Sequence, residues 1–298
     1  MKILLFGKSG QVGWELQRSL SPLGELIALG SRGESWPCDF LHPQSLRETV
    51  RAVAPDVIVN AAAYTAVDKA ESDTEAARAV NALAPAVLAQ AAADGGALLV
   101  HYSTDYVFDG SGQRPWREGD PTGPLGAYAR TKLEGERAVQ QLAPRHLLFR
   151  TSWVYAARGQ NFLRTMLRLA AEREQLSVVS DQIGAPTGAE LIADVTAHAV
   201  RAVMADAAPG GTYHLAAGGE TSWHGFARHI VEQAAVLGLP LKAAPDRVQA
   251  IPSSAWPTPA ARPANSRLDT SRLREAFGLH LPAWQAGVDR VLAQLAGR

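Results

Sequence analysis

Apolar residues in this 298-residue chain come in short runs, separated by longer stretches in which they recur every three or four positions. The runs predict strands at Lys2–Phe6, Glu25–Leu29, Asp56–Asn60, Ala97–Ser103, His146–Arg150 and Leu176–Ser180. Most are apolar throughout rather than alternating, as strands covered on both faces are. Helices are expected at about Gln11–Leu20, Pro43–Val53, Glu75–Ala93, Tyr128–Leu142, Asn161–Glu172, Ala189–Met204, Trp223–Leu237 and Trp284–Leu295. This alternation predicts an α/β fold, and right-handed crossovers would lay the six strands into one parallel sheet. After Arg150 the alternation loosens, and prolines at positions 245, 252, 257, 259 and 263 each remove a ladder donor. That stretch reads as loop or sheet edge within a smaller, irregular lobe.

Charge narrows the partner. Lys+Arg and Asp+Glu both number 29, so the broad attraction that a nucleic acid or an acidic membrane surface requires is missing, and a small molecule is expected instead. The single cysteine, Cys38, cannot form an internal disulfide. The first apolar run, Ile3 to Phe6, is too short for the core of a signal peptide, and the Ala-rich run from Leu191 to Met204 is broken by Asp194, His198 and Arg201. The expected location is cytoplasmic. His224 and His229 are five apart, off one helix face, and no triplet of the eight histidines has metal-ligand spacing.

Gly7, Gly10 and Gly13, with Gln11 and Val12 between the last two, follow the first strand directly and open the first helix. Glycines so spaced permit a tight turn and close backbone approach to a pyrophosphate, while the helix N-terminus offers unpaired N–H groups to the anion. A plain structural turn would also use glycines; the strand–loop–helix context favours a dinucleotide. The expectation is a Rossmann-type doubly wound parallel sheet with a smaller, irregular C-terminal substrate lobe. Residues 1–150 would form the dinucleotide-binding domain, with segments near 174–182 and 191–215 returning to it, and 151–298 would be mainly the substrate lobe.

Where an NAD site usually carries Asp or Glu after the second strand, this chain has Gly30, then Ser31 and Arg32, with Lys8 inside the glycine loop. A 2′-phosphate would meet donors and positive charge there, which points to NADPH over NADH; Arg32 and Lys8 as ordinary exposed charges is the competing reading. Asp39 could accept from the adenine amino group, and Phe40 could border the base. The small residues after Asn60, in Ala61-Ala62-Ala63-Tyr64-Thr65, would let phosphate and ribose lie against the backbone.

Tyr128 and Lys132 are four residues apart, hence on one helix face. A nearby ammonium stabilises a phenolate, so Lys132 is expected to lower the Tyr128 pKa and make the phenol a proton donor for a carbonyl under reduction. This spacing is common on helix surfaces; what lifts it is a second polar cluster, His101-Tyr102-Ser103-Thr104-Asp105, at the end of the fourth strand, where ligands of open α/β sheets gather. Thr104 could hydrogen-bond the substrate oxygen.

Together, the glycine loop, the Asn60-Ala-Ala-Ala turn, Ser103-Thr-Asp-Tyr-Val-Phe108 and the Tyr128/Lys132 pair resemble the extended short-chain dehydrogenase/reductases. Five further segments, Gly7–Leu16, Thr65–Glu71, Arg150–Tyr155, Asp181–Gly188 and Arg262–Ser266, look like those of the dTDP-4-dehydrorhamnose reductase family within that group. The resemblance runs almost end to end. It implies hydride transfer from NADPH to the C4 keto group of a dTDP-sugar, dTDP-4-dehydro-L-rhamnose, giving dTDP-L-rhamnose. Carried over, Tyr128 is the proton donor, Lys132 also holds the nicotinamide ribose, Thr104 polarises the keto oxygen, and Asp105 and Trp153 contact the sugar, unless Trp153 is a plain core aromatic.

The family's best-known form implies a homodimer in which Mg²⁺ gathers three glutamates from each chain. Glu15 and Glu190 match two of them, but the third position falls on Gln294. An amide attracts a hard cation less than a carboxylate does, so any interface Mg²⁺ and any dimer are expected to be weak, with Glu15 and Glu190 as surface charges the competing reading. Three alternatives stay open. Sugar-nucleotide dehydratases resemble one another in an Asp-Glu pair where this chain has Asp105-Tyr106; epimerases keep NAD bound and recycle it; and the noncatalytic regulatory subunit of methionine adenosyltransferase resembles the same reductases.

Overall fold

Burial on both faces makes the strands. In a computed structural model of the chain, which describes residues 1–30 and 36–297, Ile3 to Phe6, Val57 to Val59 and Leu98 to Val100 have almost no accessible surface. The first half runs β1 (Lys2–Phe6), α1 (Gln11–Leu20), β2 (Glu25–Leu29), α2 (Gln44–Val53), β3 (Val57–Asn60), α3 (Thr74–Arg78), α4 (Ala84–Gly95), β4 (Leu98–Thr104), α5 (Ala127–Leu142) and β5 (His146–Thr151). The second runs β6 (Val154–Tyr155), α6 (Phe162–Glu172), β7 (Leu176–Val179), β8 (Ile183–Gly184), β9 (Thr187–Gly188), α7 (Ala189–Met204), β10 (Gly211–His214), β11 (Thr221–Ser222), α8 (Trp223–Val236), β12 (Val248–Ile251), α9 (Ser271–Phe277) and α10 (Trp284–Leu295).

Among the described residues the main sheet has six parallel strands in the order β10-β5-β4-β3-β1-β2. Strand pleating sends Ile3 and Leu5 of β1 into a core with α1 and α7, and Leu4 and Phe6 into another with α2, α4 and α5. The sheet is thus covered on both faces, as a doubly wound fold requires.

The sixth strand is not the one expected from the sequence. Leu176–Ser180, within the 174–182 segment expected to return to the first domain, lies outside the main sheet: β7 pairs in parallel with β12. Its burial alternates, and Leu176 and Val178 pack in a third core with Tyr155, α6, α8 and α10. The place on the main sheet goes to β10, whose sequence Gly-Thr-Tyr-His shows no apolar run, and whose Tyr213 ring sits 6.4 Å from that of Phe149 on β5.

The helix expected over Glu75–Ala93 contains a π-helical turn, Ala79–Leu83, between α3 and α4. Pro85 has no N–H to offer the Asn81 carbonyl four residues back, so the α ladder is interrupted there. On α5, Glu136 binds Arg150 of β5 at 2.7 Å with 1% and 4% of the two side chains exposed, a pair whose breakage would strand a buried charge. No helix among the described residues is long and apolar enough to cross a membrane.

Candidate active site

The glycine loop lies against the end of β3. Gly7 has φ 87°, and a Cβ there would sit 2.7 Å from the Ala62 nitrogen; one on Gly13 would sit 2.0 Å from the Gly7 oxygen. Side chains at either position would fill the turn. Helix α1 starts at Gln11 with Gly10 as its N-cap and no side chain capping it, which leaves its first N–H groups available to an anion. These features fit a dinucleotide pyrophosphate. Val12 packs partly into the core behind.

Around the loop, Ala62 N–H donates to Asn60 Oδ1 at 3.1 Å, and Asn81 holds the Tyr64 backbone from both sides, accepting from its N–H at 2.9 Å and donating to its carbonyl at 3.0 Å. Ala63 and Thr65 are exposed beside it. Phe40 meets Phe6 edge-on, with centroids 5.7 Å apart. The exposed Asp39 carboxylate accepts from Leu41 N–H and pairs with His42, both at 2.8 Å, contacts that hold its pKa below the usual range. Ser31 and Arg32 lie outside the described residues.

At the carboxyl ends of β4 and β5, polar groups are buried together. Burial, helped by Lys132, pushes the His101 pKa well down, so its ring is neutral and Nδ1 can accept from Asn60 Nδ2 at 3.2 Å. His101 Nε2, Ser103 Oγ and Thr151 Oγ1 are buried without a hydrogen-bond partner among the described residues. Such groups are costly unless something pairs with them.

Tyr128 stands in the first turn of α5, edge-on to Tyr106 with centroids 6.0 Å apart. Burial pushes its phenol up to about 12, the neighbouring Thr104 hydroxyl pulls it back, and the Asp105 carboxylate raises it. The structure therefore brings Tyr128, Thr104 and Asp105 together. Lys132 is buried on the same helix, and its Nζ donates to the Tyr102 carbonyl at 2.6 Å. The expected lowering of the Tyr128 pKa by Lys132 is not found: Lys132 is engaged by β4, burial lowers its own pKa to about 8 against the pull of Glu136, and desolvation dominates at the phenol. Asp105, 2% exposed, is raised to about 7 by burial, with Ser266 and Thr104 pulling it down.

Trp153 lies between β5 and β6 and packs against the third core. Its backbone takes φ 49°, rare for an aromatic residue, and its ring stacks 3.6 Å from that of Trp223. Trp223 in turn donates to Gln182 Oε1 at 3.1 Å.

Glu15 and Glu190 line one cavity, where burial and then Glu190 raise the Glu15 pKa while Arg18 lowers it. Each is already served by an arginine: Arg18 lies 3.6 Å from Glu15, and Arg290 lies 2.8 Å from Glu190. Gln294 is exposed, and no group of three His, Cys, Asp or Glu that could hold a metal forms among the described residues. One chain's donor set does not fit Mg²⁺.

Three supporting residues escaped the sequence analysis as site residues. Asn81 sits in the π turn and also donates to Thr131 at 3.3 Å; Glu71 accepts the N–H of Ala127; Asn161 donates to Gln11 Oε1 at 2.8 Å. Only Asn161, an Asn ahead of an apolar helical pattern, carries a local signal, that of a helix cap.

Comparison with known proteins covers the whole architecture. The model of the RmlD substrate binding domain family matches residues 1–296. A dTDP-4-dehydrorhamnose reductase of Salmonella typhimurium is 56% identical over 295 residues, covering 99% of this chain and 98% of that one. Among solved structures, a dTDP-4-dehydrorhamnose reductase of Clostridium acetobutylicum aligns with TM-score 0.88 and 34% identity over 99% of both chains. One from Bacillus anthracis, in complex with NADP, aligns with TM-score 0.87 and 32% identity over 98% of this chain and 99% of that one.

Proposed function

The chain belongs to the RmlD substrate binding domain family, and from that premise we propose that it reduces the C4 keto group of dTDP-4-dehydro-L-rhamnose with NADPH, giving dTDP-L-rhamnose. It is an oxidoreductase of nucleotide-sugar biosynthesis. The observation that carries this reading is the meeting of Tyr128 and Thr104 at the carboxyl end of β4, in a chain 56% identical to a reductase of that name.

Bound NADPH supplies the hydride that adds to C4. Tyr128 gives its proton to the keto oxygen as the C=O π bond opens, so that a C–H and an O–H bond form and the phenol is left as phenolate. A phenol pushed up to about 12 is fully protonated at neutral pH, the state a donor must start in. Thr104, whose hydroxyl otherwise donates to Asp105 Oδ1 at 3.1 Å, turns that proton to the same oxygen and holds it toward Tyr128. The Lys132 ammonium, held by the Tyr102 carbonyl, holds the nicotinamide ribose. Asp105 and Trp153 hold the sugar, a role that fits Trp153's unusual backbone and its stacking partner.

Residues 1–150, with Gly7, Gly10, Gln11, Val12, Gly13, Asp39, Phe40, Ala62, Ala63, Tyr64 and Thr65, take the cofactor, and 151–298 mainly take the substrate. The NADP complex of the Bacillus anthracis relative supports a nicotinamide cofactor, here read as NADPH with NADH as the alternative. No step runs through Mg²⁺. The test is NADPH oxidation dependent on the 4-keto dTDP-sugar. Tyr128→Phe should lower kcat by about 10²–10⁴-fold with NADPH affinity kept, and a turnover unchanged in that variant contradicts the assignment.

A further inference from the structure

We propose that Asn161, in the second lobe, is a positioning residue for the cofactor that acts through the side-chain amide of Gln11; this rests on the dinucleotide reading above. Asn161 is the N-cap of α6, and its Oδ1 accepts from the Arg164 N–H at 3.0 Å. The oxygen being spent on the cap, Nδ2 is the group that reaches the Ala156 carbonyl and Gln11, each at 2.8 Å. Two donors cannot face each other, so Gln11 must turn its own oxygen to Asn161 and its Nε2 away. Gln11 is the first residue of α1, where the uncapped N–H groups fit a pyrophosphate. Its amide, fixed in this sense, adds one more N–H donor to that end of the helix.

The segment carrying Asn161 is held over α1 at two further points. The Arg158 guanidinium lies 3.6 Å over the Trp14 ring, one turn along the helix. Gly159 has φ 72°, and a Cβ there would come within 3.2 Å of Gln11 Cγ, so the segment packs directly on the side chain it orients. Helix capping alone does not require asparagine, since Ser or Asp caps about as well. Among the three, only Asn both caps α6 and, at neutral pH, offers an amide N–H₂ to Gln11 and Ala156. The second lobe thereby sets a donor in the cofactor loop of the first.

The test is a double-variant cycle read by calorimetric NADPH binding and by kcat at saturating NADPH, using wild type, Asn161→Ser, Gln11→Ala and the pair. Asn161→Ser keeps the cap and removes the donor. Its Kd for NADPH should rise about fivefold, the worth of one hydrogen bond, with kcat within about twofold of wild type. In the Gln11→Ala background the same substitution should change Kd no further, because the amide it acts through is gone. An unchanged Kd in Asn161→Ser, or an equal penalty with and without Gln11, overturns the proposal. The shared background keeps the cycle readable if Asn161→Ser also lowers stability. A wild-type protein that does not bind NADPH overturns the dinucleotide reading itself, an outcome distinct from wild-type binding that the substitution leaves untouched.

Discussion

Lys132 Nζ donates to the main-chain oxygen of Tyr102 at 2.6 Å, which ties a buried ammonium on α5 to the strand that ends in Thr104. Burial lowers its pKa to about 8, against the pull of Glu136. The charged form exists below that pH and is lost above it, so kcat/KM should fall as pH rises through about 8. Lys132→Arg, whose guanidinium does not titrate in this range, should lose this limb of the pH profile whatever its plateau. A wild-type profile that stays flat well above pH 8 contradicts a role for the ammonium.

Asp105 should cost the fold stability for the sake of the site. Its carboxyl is raised from 3.8 to about 7 by burial, so the folded state favours the protonated form. The contribution of Asp105 to stability is then largest below about pH 4, declines as pH rises toward about 7, and stays low beyond. Asp105→Asn should be more stable than wild type at pH 8, by on the order of 3 kcal/mol and several degrees in Tm, and should show no advantage near pH 4. Turnover should fall in the same variant, because the sugar loses its carboxylate. Denaturant melts at the two pH values check the sign.

Glu71 sets the start of the helix that bears Tyr128. Its Oε1 accepts from the Ala127 N–H at 2.7 Å, and no side chain of the N-cap residue, Gly126, serves that end. A carboxylate there also complements the helix dipole, so Glu71→Ala should cost about 1 kcal/mol of stability. Since Tyr128 lies in the first turn, kcat should drop more than NADPH affinity. Glu71→Gln keeps an acceptor and should recover most of the loss; equal losses in both variants would show that the charge, not the hydrogen bond, matters.

Removal of divalent metal should leave turnover intact. Arg18 and Arg290 already face Glu15 and Glu190, and the proton and hydride steps assigned above use no metal ligand. Assay and sedimentation with and without EDTA check this, and joint loss of activity and of a dimer would show that a second chain completes a metal site.

What could be read from the sequence was what local pattern controls. Strands β1, β3, β4 and β5 stand out because they are apolar enough for burial on both faces, the edge strand β2 as a short apolar run, and Tyr128 with Lys132 is visible as a one-turn spacing. Strand β10 is invisible by the same logic: Gly211-Thr-Tyr-His is polar, and its place comes from Tyr213 packing against Phe149 and Phe277. Leu176–Ser180 misleads because an apolar strand does not name its partner, here Val248–Ile251 far along the chain. The direction of the Tyr128 pKa shift was likewise out of reach. Burial by distant segments sets it, and the neighbouring Asp105 meets Ser266, 161 positions along. Asn81 and Asn161 act through contacts with Tyr64 and Gln11 that spacing does not announce.

Hydride delivery to C4 of a keto dTDP-sugar can be followed with NADPH deuterated on the transferring face of its nicotinamide. One equivalent of NADPH should be oxidised per sugar reduced, with deuterium at C4 of the dTDP-L-rhamnose formed. Sugar converted without net NADPH consumption, or a product with no deuterium at C4, would contradict it.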